Sequence, residues 1–571
     1  MKERDLYLQI PTSFSFYHKA GLLRFFFDKK EINYFFFLVL LEKVSKEKKI
    51  KNVLIEIPSI EDLSFTQVED IVHLLEKIKN SGKTLYAYIE EGGIKTLLVA
   101  SVCHYRYAGD WAQFSVLLPK LDQFYLGDFL RSFGIRLEVY AMGKYKSAGE
   151  IYTRNKISPY AKENFIELIQ DQRKIIQDML FRSHGLSQEQ KEKLWNLFLK
   201  QSIINAKELQ SLGFIHDLVD KVQFREFVQS QSNPTIPNEI QHSIQGQGDI
   251  LPKETNETSM KKPTRKLMEF EQFYKVQRRK EITLFPQIRK KQLAIVVMDG
   301  IILRGDEEDE PRSNAINSKG YAKILQELRE SPESAVLIYL NSPGGMSDAS
   351  ELLFQEIRKL SRIKPVYVLQ ADVSASGGYY ISCGGNKVFS YRSTITGSIG
   401  VLRMRPNLKE LYKKLKIQKS KLMFDKTSEI FSEAMDLTEE GKKLLENSTR
   451  EIYSVFLDRV ARGRGKDISY VKKFAEGRVY SATRFKEAGL IDEITTFNET
   501  IAMIKKDLKL TEKQPLFLNL YPMVKIDFRE ILRIRKLFSQ NMFFDLKKIF
   551  FIMKTPLLIS IEGLECYSKR H

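Results

Sequence analysis

Ser376 stands in a run of small residues, Asp372-Val-Ser-Ala-Ser-Gly-Gly-Tyr-Tyr380. A β-branched run, Val366–Leu369, precedes it, and a helix-like run, Tyr379–Cys383, follows. The spacing predicts a hydroxyl at a strand-to-helix junction, with the Gly377 amide beside it to bind an oxyanion. Helix capping by Ser374 and Ser376 is the plain structural alternative. A second such turn, Asn341-Ser-Pro-Gly-Gly345, follows the apolar run Val336–Leu340. Pro343 fixes one φ, and the glycines allow a sharp reversal. A turn of this kind raises N–H groups above the carboxyl edge of a sheet, where a developing oxyanion is stabilised.

A serine becomes nucleophilic only beside a base. The histidines are His18, His73, His104, His184, His216, His242 and His571, so the stretch carrying Ser376 has none of its own before the last residue. A histidine from the rest of the chain could reach across, but none sits in a suggestive motif, and the remaining base is lysine. With a free pKa of ~10.4, only about one lysine in a few thousand is neutral at pH 7. Burial lowers that pKa at a cost of ~1.4 kcal/mol per unit. The base must therefore lie in an apolar, water-poor place with a hydroxyl beside it. Two lysines are candidates: Lys146 in Gly143-Lys-Tyr-Lys-Ser-Ala-Gly-Glu-Ile-Tyr-Thr-Arg154, and Lys426 in Phe424-Asp-Lys-Thr-Ser-Glu-Ile-Phe431.

Those lysines occupy equivalent places in a duplicated chain. Val53–Pro58 resembles Val336–Asn341, Leu85–Ile89 resembles Val366–Leu369, and Leu212–Leu218 resembles Ala488–Ile494, all offset by about 280 residues. Within each copy, short β-branched strands alternate with amphipathic helices, which predicts an α/β fold with largely parallel sheets. Between the copies, from about Gln229 to Arg265, the chain is rich in Pro, Gln, Asn, Ser and Thr and reads as a linker or long surface excursion.

The 571 residues carry a net charge of +19, which calls for an anionic partner such as lipid headgroups, nucleic acid or an acidic protein. No stacking-aromatic or recognition-helix motif supports nucleic acid. Cys103, Cys383 and Cys566 are too few and too scattered for a disulfide framework or a zinc site. The run closest to a membrane span, Tyr34–Leu41, is too short and is closed by Glu42 and Lys43. The amino terminus lacks the apolar core of a secretory signal, which predicts a catalytic part that is soluble and made on the cytoplasmic side.

Together these motifs resemble the serine–lysine peptidases of the signal peptide peptidase A family, in their long duplicated form. The matching pieces are Asn341–Gly345, Ala375–Tyr380, Thr396-Gly-Ser-Ile-Gly-Val401 and Ala488–Asp492, joined by Tyr145-Lys-Ser-Ala148 with Glu150 and Arg154 from the first copy. The resemblance implies two tandem domains like those of the Clp protease subunit and the crotonases. It implies Ser376 as nucleophile, Lys146 as base, Ser398 as the hydroxyl that orients the lysine, and Gly344, or Gly345 beside it, with Gly377 as oxyanion donors. Lys426 remains the alternative base, since single-copy relatives keep serine and lysine in one domain. No metal or cofactor is implied.

The expected organisation is a first repeat at 1–228 supplying the lysine, a connecting segment at 229–290, a second repeat at 291–505 carrying the serine, and an extension at 506–571. Met523–Phe538 and Phe543–Ile552 in that extension are basic and amphipathic, suited to a membrane surface or to packing on a domain. The resemblance implies an endopeptidase for signal peptides and other hydrophobic membrane-derived peptides, working as a ring- or dome-shaped homo-oligomer. The expected location is membrane-associated without a spanning helix, with the cytoplasm as alternative. Ile151 stands where the long forms resembled carry proline, and no counterpart of their usual amino-terminal membrane anchor is expected. Two other functions fit the same fold: a catalytically impaired scaffold for membrane protein quality control, and a crotonase-like acyl-CoA enzyme.

Overall fold

Strands that are apolar on both faces need cover on both faces, and parallel sheets flanked by helices supply it. The computed structural model describes residues 3–16, 32–230, 266–282, 291–306, 315–420, 422, 427–511, 514–522 and 559–560. In the first half, β1 (Arg4–Gln9), α1 (Tyr34–Lys46), β2 (Ile50–Ile57), α2 (Phe65–Asn80), β3 (Thr84–Ile89), α3 (Ile94–Ser101) and β4 (Tyr105–Ala108) alternate. Then come β5 (Arg136–Met142), α4 (Pro159–Leu180) and β6 (Asp217–Leu218). Residues from the segment read as a connector add β7 (Lys266–Glu269) and α5 (Phe270–Ile282). The sheet order is β6-β4-β3-β2-β1-β7, with all neighbours parallel.

The second half repeats the scheme with β8 (Gln292–Asp299), β9 (Ala335–Ser342), α6 (Ser347–Ser361), β10 (Val366–Ala375), α7 (Gly377–Ser382), β11 (Lys387–Ser390), β12 (Ile395–Gly397) and β13 (Val401–Asn407). It continues through α8 (Glu439–Arg464), β14 (Val479–Ser481), β15 (Glu493–Ile494), α9 (Phe497–Asp507), β16 (Phe517–Tyr521) and β17 (Ile559–Ser560). The main path runs β14-β12-β10-β9-β8-β16-β17, and β11 extends β10 toward β15. Among the described residues, only β12–β14 and β16–β17 pair antiparallel in this sheet. The chain is thus two tandem α/β halves with parallel sheets flanked by helices, as the alternation of strands and helices predicts.

The halves share a core. Tyr34, Phe35, Leu38 and Leu41 of α1 pack in one cluster with Leu293, Ile295 and Val297 of β8 and Tyr339 of β9. The Phe35 ring lies 5.2 Å from that of Tyr339 and 5.0 Å from that of Phe497 on α9. The run Tyr34–Leu41 is therefore a helix caught between two sheets. Among the described residues no helix is long and apolar enough to cross a membrane. At the polar centre of this seam, the buried Asp70 carboxylate on α2 accepts hydrogen bonds from Tyr34 Oη (2.5 Å), Tyr391 Oη (2.6 Å) and Phe497 N (2.8 Å). Burial pushes the Asp70 pKa up to about 7.

A shared core predicts shared unfolding. Phe35→Ala is expected to cost ~3–5 kcal/mol through the cavity it leaves. Both halves should melt in one calorimetric transition that moves down as a unit. Two separable transitions, with only one displaced, would show that the halves are held independently.

A ribbon also joins the halves. β5 and β13 pair antiparallel from Met142 opposite Val401 to Arg136 opposite Asn407. Lys146 leaves one end of that ribbon, and Ser398 enters the same end from the other strand.

Candidate active site

Ser376 caps the junction of β10 and α7 with φ 53° and ψ −118°. A side chain in that region stores roughly 1–3 kcal/mol of backbone strain, which the surroundings must hold. The Ser376 N–H donates to Gly397 O at 2.8 Å, and Ser376 O accepts from Tyr380 N at 2.9 Å. Its hydroxyl makes no helix-capping bond. Ser374 is different: fully buried, it shares a 3.2 Å hydrogen bond with Ser382 Oγ and serves the core. The capping alternative thus fails for Ser376.

Lys146 comes from the other half. Its amine lies 3.0 Å from Ser376 Oγ, 3.0 Å from Ser398 Oγ and 3.1 Å from Ser398 O. Burial pushes its pKa down to about 8, and among the described residues no carboxylate opposes that shift. Ser398, like Ser376, has φ 53°, so two strained serines flank one amine. The neutral amine can accept the Ser376 proton while Ser398 holds it in place. Lys426 lies outside the described residues.

Three glycines close the site. A Cβ on Gly344, where φ is 105°, would come 2.7 Å from Gly377 N and 2.8 Å from Ser376 Cβ. A Cβ on Gly377 would come 2.5 Å from Ser350 Oγ and 3.2 Å from Gly345 N. Only glycine permits this approach. The Gly344 N–H already donates to Ser342 Oγ at 3.2 Å. The Gly345 and Gly377 N–H groups have no acceptor among the described residues. The same approaches bring the Gly344–Gly345 turn against the start of α7, next to Ser376.

The first half has filled its equivalent place. Gly93 caps α3 as Ser376 caps α7. The Glu61 carboxylate, from the turn corresponding to Gly344–Gly345, accepts from Gly93 N (2.9 Å), Thr96 N (3.1 Å) and Thr96 Oγ1 (3.2 Å). The Lys95 amine donates to Glu61 O (2.6 Å) and Leu63 O (2.5 Å). An internal carboxylate thus caps the start of α3, at the place where the second half carries Ser376 at the start of α7. An offset of about 281 between the copies puts Lys95 near the nucleophile position, but the structure puts Gly93 there and Lys95 inside α3, and the Glu61 contacts are visible only in three dimensions.

The comparisons with known proteins point the same way. Residues 358–511 match the model of peptidase family S49. The chain is 27% identical over 466 residues to the chloroplastic serine protease SPPA of Arabidopsis thaliana, covering 81% of this chain and 64% of that protein. It is 24% identical over 502 residues to Protease 4 of Haemophilus influenzae, covering 83% and 72%. A protein of Enterococcus faecium assigned as signal peptide peptidase SppA is 30% identical over 234 residues, covering 41% of this chain and 68% of its own length. With that share of the Enterococcus relative aligned, and the S49 match falling across Ser376 and Ser398, the chain belongs to the signal peptide peptidase A family of serine-type peptidases.

Proposed function

We propose that this protein is an endopeptidase in which Ser376 is the nucleophile, Lys146 the general base and Ser398 the residue that orients the base. The observation that carries the reading is the 3.0 Å separation of Lys146 Nζ and Ser376 Oγ, with an amine whose pKa burial has lowered to about 8. Ser376 Oγ attacks the scissile carbonyl carbon as its proton passes to Lys146 Nζ. The carbonyl oxygen, now an oxyanion, takes hydrogen bonds from the Gly345 and Gly377 amides. Collapse expels the amine, which receives the proton from Lys146, and leaves an ester on Ser376. Water then gives a proton to the amine of Lys146 as it attacks the ester, and Ser376 Oγ leaves as the alcohol by taking that proton back, releasing the carboxyl product. Gly344 serves by shape, since its own N–H is turned to Ser342.

The substrate class in this reading is hydrophobic peptides released in or at membranes, signal peptides among them, as the family's name describes. Headgroup attraction to a chain of net charge +19 would hold the enzyme at a membrane surface. The basic, amphipathic stretches Met523–Phe538 and Phe543–Ile552, outside the described residues, would contribute to that contact. We further read the working enzyme as a homo-oligomer with enclosed sites.

The deciding experiment is mass spectrometry of the protein after a serine-reactive acylating probe, with peptide hydrolysis followed in parallel. Label on Ser376 and its loss in Lys146→Ala are the expected results. Label with loss only in Lys426→Ala would move the base into the second half. No label alongside intact folding would favour a scaffold.

The lysine also fixes the pH dependence. Its neutral form is the base, so kcat/KM should rise with pH through a midpoint near 8. Below the midpoint the fall is about tenfold per pH unit, since each unit removes nine-tenths of the neutral amine. A midpoint near the free-lysine value of ~10.4, or near the ~6.5 of histidine, would contradict a buried lysine base.

A further inference from the structure

The contacts around Lys146 do not come mainly from its own half. A turn just before β14, Glu476–Arg478, runs between the lysine loop and the Ser398 loop and touches both. Glu476 O accepts the Tyr145 N–H at 2.8 Å, and its carboxylate accepts the Lys144 N–H at 3.2 Å. The Gly477 N–H donates to Ile399 O at 2.8 Å, and Arg478 O accepts the Ser398 N–H at 2.7 Å. Two consecutive residues on each side of the amine are thus tied to one three-residue turn.

The fit at Gly477 leaves no slack. Its φ is 74°, and a Cβ there would come 2.6 Å from Lys146 Cβ and 2.7 Å from Lys146 Cα and N. The lysine backbone rests directly on the glycine. Gly143, at φ 110°, makes the reciprocal approach, since a Cβ there would come 2.4 Å from the Glu476 carbonyl carbon. Arg478 then anchors the turn to the first half. Its guanidinium lies over the Tyr145 ring at 4.7 Å and pairs with Glu167 and with Glu163 on α4. One residue on, Val479 and the buried Asn164 of α4 exchange backbone-to-amide hydrogen bonds of 2.9 and 2.7 Å.

We propose that Glu476–Gly477–Arg478 is a positioning element, supplied by the second half, that fixes the depth and direction of the first half's Lys146 toward Ser376. Gly477 sets the depth because any side chain there must displace the lysine backbone. Arg478 sets the direction through Tyr145, the residue before the lysine. None of the three touches the reacting atoms. The proposal rests on the reading of Ser376 and Lys146 as nucleophile and base.

The test is Gly477→Ala, measured as peptide hydrolysis and as the rate of Ser376 acylation across pH 6–11. A displaced amine gains water, so its pKa should return toward the free value of ~10.4. The expected result is a pH midpoint moved from near 8 to above 9, kcat lowered 10- to 100-fold at pH 8 and KM within about twofold. A merely structural glycine would lower the amount of folded enzyme and leave the midpoint in place. Should Gly477→Ala not fold, Arg478→Lys gives the same readout, because it keeps the charge and loses the fork over Tyr145. An upward shift smaller than that expected of Gly477→Ala supports the proposal, and a wild-type midpoint with a wild-type rate overturns it. Lys146→Ala is the companion control. If it hydrolyses peptide at the wild-type rate, the dyad reading falls and the positioning role with it. If it is inactive while the turn variants keep a wild-type midpoint and rate, the positioning role alone falls.

Discussion

Ser376→Ala is expected to reduce peptide hydrolysis by roughly 10^4-fold or more, the scale on which a covalent nucleophile acts together with its base. Binding of peptide should survive, because the glycine amides and the cleft are untouched. A further measurement separates this from misfolding. Ser376 sits at φ 53°, and alanine must hold the same unfavourable backbone, whereas glycine need not. Ser376→Gly should therefore be as inactive as Ser376→Ala but more stable than it by ~1 kcal/mol, read from chemical denaturation. Retained turnover in either variant would remove Ser376 from the chemistry. Equal stability of the two would mean that the surrounding contacts bear no strain there.

Lys146→Met is expected to lower kcat by roughly 10^2- to 10^4-fold, the usual worth of a general base. The same change should leave the protein as stable or stabilise it. Holding the amine protonated in its enclosed place costs up to ~3 kcal/mol at neutral pH, the difference between a pKa of about 8 and the free value. Methionine fills similar space and carries no charge. The gain is offset in part by the contacts to Ser376 and Ser398 that disappear. The sign has a pH window. Because the folded pKa is depressed, the unfolded chain binds the proton more tightly, so this lysine weakens the fold below pH 8. That penalty fades as pH rises from 8 toward 10.4. The stability advantage of Lys146→Met should shrink over that interval. A methionine variant less stable than wild type by several kcal/mol at pH 7 would show that the amine carries no such burden.

How much of this was written in the residues can be judged position by position. The strand–turn–helix around Ser376 was legible because its neighbours are small and the runs on either side have clear periods. Lys146 emerged from the absence of histidine and from the duplication, since a lysine in a fold-equivalent place drew attention to its mate. The α/β alternation was legible for the same reason as the strands: runs such as Val336–Leu340 are apolar on both faces. Other features were hidden because they depend on distant partners. Arg136–Met142 has no strand-like alternation of burial and becomes a strand only against Val401–Asn407. Tyr34–Leu41 resembles a short buried helix of any kind until the second sheet is laid against it. Lys266–Glu269 lies in a segment read as a connector, yet pairs with Arg4–Tyr7 at the opposite end of the half. Gly477 between Glu476 and Arg478 looks like an ordinary turn, and its closeness to Lys146 is set by contacts more than 300 residues apart.

The order of synthesis gives the seam between the halves a temporal meaning. The serine and the lysine of the proposed dyad are 230 residues apart in the chain, and Arg478 follows later still. At a ribosomal pace of ~5–20 residues per second, about 10–50 s separate the emergence of the amine from that of the alcohol. Throughout that interval the nascent chain holds a lysine with no hydroxyl to activate, and its own half offers Glu61 in place of a second cleft. On the proposed dyad, proteolytic competence would therefore arrive only once the second half has emerged, and the growing chain would be spared its own activity.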